Sequence, residues 1–142
     1  MEGILSSTDI STSGLSAERL RMETIANNIA NANTTRGPNG EPYRRKEVVF
    51  TAVYDDAVAL GRGQQTGLKA QVVETDLDQL TQVFDPGHPD ADAEGYVTMP
   101  SVSLPDEMVD LISANRSYEA NLKVLRAFRE MAEQALSLLQ RI

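Results

Sequence analysis

Residues 104–142 read LPDEMVDLISANRSYEANLKVLRAFREMAEQALSLLQRI, and this run decides the architecture. Leu104, Leu111, Tyr118, Leu125, Ala132 and Leu139 recur every seven residues, and Met108, Leu122 and Leu136 form a neighbouring ridge. Phe128, Ala135 and Ile142 widen it. Such spacing predicts an amphipathic helix with one broad apolar stripe. Pro105 falls in the first turn, where a missing N–H is no loss, and Asp106, Glu107 and Asp110 complement the positive end of the helix dipole. No Gly or Pro interrupts 106–142. The prediction is one rod of about 55 Å, far longer than a mean globular helix of about 11–12 residues. Part of its cover must come from outside a small domain. Asn115 and Arg129 sit on the ridge of Met108 and Leu122, and read either as the edge of the stripe or as groups that fix register between packed helices.

The other end of the chain repeats the theme more weakly. Leu15, Met22 and Ile29 are spaced by seven, with Ile25 and Ala32 in the adjacent row and Ile4, Leu5 and Ile10 extending the face. This predicts a helix over 4–33. Ser, Thr and Gly between Ser6 and Gly14 lower its propensity, so the leading stretch is expected to order against a partner. The middle has a different period. Glu47–Tyr54 and Leu68–Thr75 are β-branched-rich runs bounded by Gly, Asp and Pro and read as strands, with shorter ones at Gln82–Phe84 and Gly95–Met99. From Asp55 to Glu94 there are nine acids against two bases, which places the negative charge on a solvated module. The expected fold is α+β in three parts: an N-terminal helix over 1–33, a linker and small β module over 34–103, and a C-terminal helix over 104–142. The two helices would form a coiled-coil-like core.

Composition removes several function classes. The net charge of −8 over 142 residues disfavours nucleic acid, and no polybasic patch suits anionic lipid. The chain has no Cys, hence no disulfide and no thiolate chemistry. Aromatics are only 5% and Trp is absent, which favours methyl-rich helix packing over an aromatic core. The opening MEGILSSTDISTSG lacks the basic and apolar regions of a cleavable secretory signal, so export without cleavage is expected if the chain leaves the cytoplasm. Asp90-x-Asp92-x-Glu94-Gly95 begins like a calcium loop, but its twelfth position is Ser101 where a bidentate Glu is required. His88 is the only His and lies between turn-forming Pro residues. No nucleophile, phosphate loop or multi-ligand metal set accompanies the carboxylates. No catalytic, cofactor-binding or metal-binding residue is predicted, no small-molecule substrate is expected, and the chain is not expected to be an enzyme.

Two helices with uncovered apolar stripes point to self-assembly. Fully burying one large aliphatic side chain contributes roughly 1.5–3 kcal/mol, against which ordering and association costs are set. Leu111, Leu125 and Leu139 are expected to pack on the Leu15–Met22–Ile29 face, within or between chains, with Ile25, Leu122 and Leu136 in the same stripes.

Residues 25–34 place four Asn (Asn27, Asn28, Asn31, Asn33) within seven positions at a helix end. Asn is a poor helix former, and its amide both donates and accepts. Either the run caps the helix, or Asn28 and Asn31 bond to neighbouring subunits. The Ala26-Asn27-Asn28-Ile29-Ala30-Asn31-x-x-Thr34 pattern resembles the N-terminal signature of flagellar basal-body rod and hook proteins. At the other end, Glu107 to Asn121 resembles that family's C-terminal helix, with an Arg116-x-Tyr118-x-Ala120-Asn121 core. The Asp85–Val97 loop, followed by Met99-Pro100 and the last helix, narrows the resemblance to the short proximal-rod subunits. The resemblance implies an assembly motif of Asn27, Asn28, Ile29, Asn31, Arg116, Tyr118 and Asn121. It further implies export through the flagellar type III apparatus, and incorporation with other rod subunits and further copies of itself into a periplasm-crossing shaft. The alternatives are another short axial subunit, or a helical type III secretion adaptor or chaperone. An adaptor would be helix-rich and cooperative as a purified monomer, whereas a rod subunit's ends would gain helix on assembly.

Overall fold

The computed structural model describes residues 2–54, 65–74 and 80–139, with the side chains of 2–7, 65–66 and 139 outside that description. Helix α1 spans Glu2–Ala30, followed by β1 (Lys46–Tyr54), β2 (Gln65–Glu74), β3 (Thr81–Phe84), β4 (Tyr96–Met99) and helix α2 (Leu104–Leu139). The class is α+β, with a helix at each end and two small two-stranded sheets, β1–β2 and β3–β4. Thr75, most of the Gly61–Gly67 connection, and Gln140–Ile142 lie outside the described residues.

The leading stretch belongs to the α1 helix. Its hydroxyls fold back onto the preceding turn. Thr12 Oγ1 donates to Thr8 O (2.8 Å), Ser13 Oγ to Ile10 O (2.8 Å) and Ser16 Oγ to Thr12 O (3.1 Å). The groups that usually compete with a helix are thereby absorbed by it.

The contacts group the chain into two units, each drawing on both helices and on the middle segment. One combines Met1–Leu20, Phe50–Gln71 and Ser113–Ile142; the other combines Arg21–Val49 and Val72–Ile112. In the first, Ala17 and Ala114 are buried. Small residues also let elements approach: a Cβ on Gly14 would lie 3.3 Å from Asn121 Nδ2, and one on Gly67 would lie 3.2 Å from Ser13 Oγ. That hydroxyl accepts the Leu68 N–H at 3.0 Å, joining α1 to β2. In the second unit the buried side chains include Thr24, Ile25, Asn28, Ala32, Val97 and Glu107.

The buried side of each helix overlaps in part the one the apolar repeat selects. On α1 the buried positions are Ala17, Thr24, Ile25 and Asn28, while Leu15, Met22 and Ile29 are half-buried. On α2 Glu107 and Ala114 are buried, and Leu111, Tyr118, Asn121, Leu122, Leu125 and Phe128 are half-buried. Met108 and Leu136, placed by the repeat in the stripe, are 58% and 59% exposed. Polar and small groups give close contact and internal hydrogen bonds, and the bulkier apolar groups stand at the margins.

Candidate functional site

The run of Asn residues is resolved into different tasks. Asn28 is 1% exposed. Its Nδ2 donates to Lys46 O at 2.8 Å and to Glu107 Oε2 at 3.0 Å. Its Oδ1 accepts from Tyr43 O–H at 2.9 Å and from Lys46 N–H at 3.0 Å. Two donors and two acceptor sites are all a carboxamide has. All four hydrogen-bonding positions of the Asn28 amide are thus taken within this chain, where the sequence reading had it bonding to neighbouring subunits.

Asn31 acts as helix punctuation. Its N–H and its Nδ2 both bond to Asn27 O, at 3.1 and 2.9 Å, and Thr34 Oγ1 donates to Asn31 Oδ1 at 3.2 Å. Asn27 is exposed and Ile29 half-buried.

Glu107 is the second centre of the network. It is also 1% exposed, and Arg45 Nε donates to its Oε1 at 2.6 Å. Arg45 reaches Glu47 as well, and its side chain is 25% exposed. A buried carboxylate survives only with a counterion and hydrogen bonds, and both are supplied here by residues far away in sequence. Burial works against the charge on Arg45, but the hydrogen bond and charge of Glu107, followed by those of Glu47, raise its pKa above the ordinary value. Burial, then the charges of Glu107 and Glu74, raises the Tyr43 phenol above 10.0 and keeps it a donor toward Asn28. Arg21 and Asp110 add a longer pair at 3.6 Å between the same two helices. The network binds the end of α1, the start of α2 and the start of β1 within one unit. It is structural chemistry, in which the Asn28 amide and both oxygens of the Glu107 carboxylate are engaged.

The sequence did not reveal this cluster. Glu107 reads as a first-turn acid, and nothing in the linker sequence marks Arg45 as its partner.

The C-terminal motif lies in the other unit. Arg116 is exposed, Tyr118 half-buried, and Asn121 half-buried against Gly14. Asn115 and Arg129 bond to Glu119 and Glu133 one turn on, at 3.3 and 2.8 Å, which agrees with the edge-of-stripe reading. Beyond them Met131, Leu136 and Leu138 are exposed, at 54%, 59% and 65%. The side chain of Leu139 lies outside the described residues.

The acidic loop is occupied by its own turns. Asp85 Oδ1 accepts Gly87 N–H, Asp92 Oδ1 accepts Glu94 and Tyr96 N–H, and His88 Nδ1 accepts Asp90 N–H. Asp90 takes a hydrogen bond from Thr35 at 2.8 Å and pairs with Arg36 at 3.4 Å. The carboxylates order a loop.

Two family descriptions match the chain, one at each end. "Flagella basal body rod protein" matches residues 9–38, and "Flagellar basal body rod FlgEFG protein C-terminal" matches residues 93–138. Similar curated proteins include the flagellar basal-body rod protein FlgC of Borreliella burgdorferi, 40% identical over 97% of this chain and 99% of the relative. The FlgC of Yersinia enterocolitica is 45% identical over 95% and 97%. That of Bacillus subtilis is 39% identical over 93% and 95%.

Proposed function

The chain belongs to the FlgC family of flagellar basal-body rod proteins and is a structural subunit of that rod, not an enzyme; on that footing we propose that it joins the proximal rod through its two terminal helices. The single observation that carries this reading is the far end of α2, where Met131, Leu136 and Leu138 are solvent-exposed in the isolated chain. Met131 and Leu138, seven residues apart, fall on one side of the helix, and exposed apolar side chains so placed mark a surface for a partner. Fully covering each contributes roughly 1.5–3 kcal/mol.

In this proposal, segments 1–33 and 104–142 form a coiled-coil-like inner core with the corresponding helices of other subunits, and 34–103 lies outside it. Leu111, Leu125 and Leu139 meet the Leu15, Met22 and Ile29 face of the same or a neighbouring chain, with Leu122 and Leu136 beside them. Exposed Asn27 and Arg116, together with half-buried Ile29 and Tyr118, are the motif positions suited to contacts between subunits. Asn28 and Asn121 act inside the chain. Partners are other rod subunits, further copies of this chain and, before assembly, the flagellar type III export apparatus. The assembled rod crosses the periplasm, reached without cleavage of a signal peptide. No helix of the described residues is long and apolar enough to cross a membrane.

Deletion followed by imaging of isolated basal bodies tests the reading. The expected result is a rod that stops near its base and cells that do not swim; a complete rod would refute it. Leu125→Asp in the full chain should leave synthesis intact and abolish incorporation, and normal motility in that variant would remove the packing scheme.

A further inference from the structure

The β3–β4 ribbon presents an open edge beside a fixed aromatic pair. All four residues of β3, Thr81 to Phe84, are exposed, and no described strand pairs with the outer side of β3. The register is antiparallel, with Val83 opposite Val97 and Phe84 opposite Tyr96. Asp85 N–H bonds to Gly95 O at 2.9 Å, which sets the phase of the ladder. Val83 and Thr81 therefore turn their backbone groups toward β4, and Gln82 and Phe84 turn theirs outward. Such an edge is a template for one more strand.

Phe84 is 63% exposed yet held in place. Its ring packs edge-on against Tyr96, with centroids 5.3 Å apart and planes at 65°. It also lies across Gly95, where an added Cβ would come 2.9 Å from Phe84 Cε2, and Gly95 has φ +86°. Tyr96 is exposed beside it. An aromatic already fixed by its neighbours gives up little freedom when a partner covers it, and such residues often dominate an interface.

The rim is acidic. Asp85, Asp92 and Glu94 are exposed around the ribbon, Asp90 is half-buried, and Arg36 is the cation paired with this loop through Asp90. The surplus of carboxylates next to two ring faces selects a cationic partner, because Lys and Arg bind both.

We propose that this edge receives an extended, Lys- or Arg-bearing segment of another basal-body protein. The segment adds as a strand along Gln82 and Phe84 and sets its cations over the rings and the acidic rim. The proposal rests on the rod-subunit reading above and assigns a surface to its partner.

A photo-crosslinking residue, p-benzoylphenylalanine, placed at Gln82 in the full chain in living cells tests it. Basal bodies are isolated after irradiation and the crosslinked residue is mapped by mass spectrometry. The expected result is a crosslink to an extended segment of another chain with Lys or Arg within about two residues, the reach of one side-chain pair across strands. Phe84→Ala and Glu94→Lys should each lower the yield at least about tenfold, the scale of losing an interface anchor. Glu94→Lys changes an exposed side chain while the backbone N–H that bonds to Asp92 stays, so it keeps the test decisive if Phe84→Ala fails to fold. A subunit present in basal bodies with Gln82 crosslinked to a helix, to an acidic segment or to nothing overturns the docking proposal alone. A subunit absent from basal bodies overturns the rod reading and the proposal with it.

Discussion

The two halves of α2 resolve opposite problems. Near its start a carboxylate, Glu107, is buried and fully engaged; toward its end Met131, Leu136 and Leu138, all apolar, stand in solvent. Hydrophobicity alone would place them the other way round. The difference separates two kinds of work. Directional polar bonds specify one internal geometry and leave nothing for a neighbour, whereas apolar surface is non-directional and remains available for assembly.

Substitutions at the buried end should be felt in the purified chain. Glu107→Ala leaves Arg45 and Asn28 without their partner, and should cost about 3 kcal/mol or more in denaturant unfolding of the unit that contains them. A loss under about 1 kcal/mol would show that the network is incidental. Asn28→Ala removes four bonds and strands the Lys46 backbone groups, with an expected loss of about 2 kcal/mol. If rod assembly fails while that stability is intact, Asn28 has an intersubunit role after all.

Smaller effects refine the contrast. Tyr43→Phe should cost about 1 kcal/mol at neutral pH and change the alkaline limb of stability. The folded phenol titrates above its ordinary value of 10.0. The unfolded chain therefore loses this proton first, and the group's contribution is fully present below pH 10.0 and fades as pH rises through the folded pKa. The Phe variant should lose that extra alkaline slope, measured by unfolding at successive pH values.

Leu136→Asp closes the series from the exposed end. It should change monomer stability by less than about 0.5 kcal/mol, as surface substitutions do, while lowering incorporation into rods. A large loss of monomer stability would mean that the chain itself covers Leu136.

Much of the architecture was legible in residue order. The seven-residue repeat from Leu104 onward and Pro105 mark α2 to within a few residues. The β-branched runs mark β1 and β2, and even the short strands at Gln82–Phe84 and Gly95–Met99 are found close to where they were expected. The Asn-rich and Arg-x-Tyr patterns point to the family that the comparisons show. The inner face was legible in part. Ile25 and Ala32 were placed on it and are buried, but periodicity favours large apolar residues and gave no sign that Thr24 and Asn28 share it. Gly14 looked like a helix weakness and proves to be a point of close approach to Asn121.

The sequence by itself determined where the helices and strands fall, since local period and backbone preference are properties of neighbouring residues. Only the tertiary structure decided that Glu107, Arg45, Asn28 and Tyr43 meet, because hydrogen bonds across 15 to 79 positions of chain leave no periodic trace in residue order. A polar side chain's fate is set by its partner's position, and that position exists only once the chain has folded.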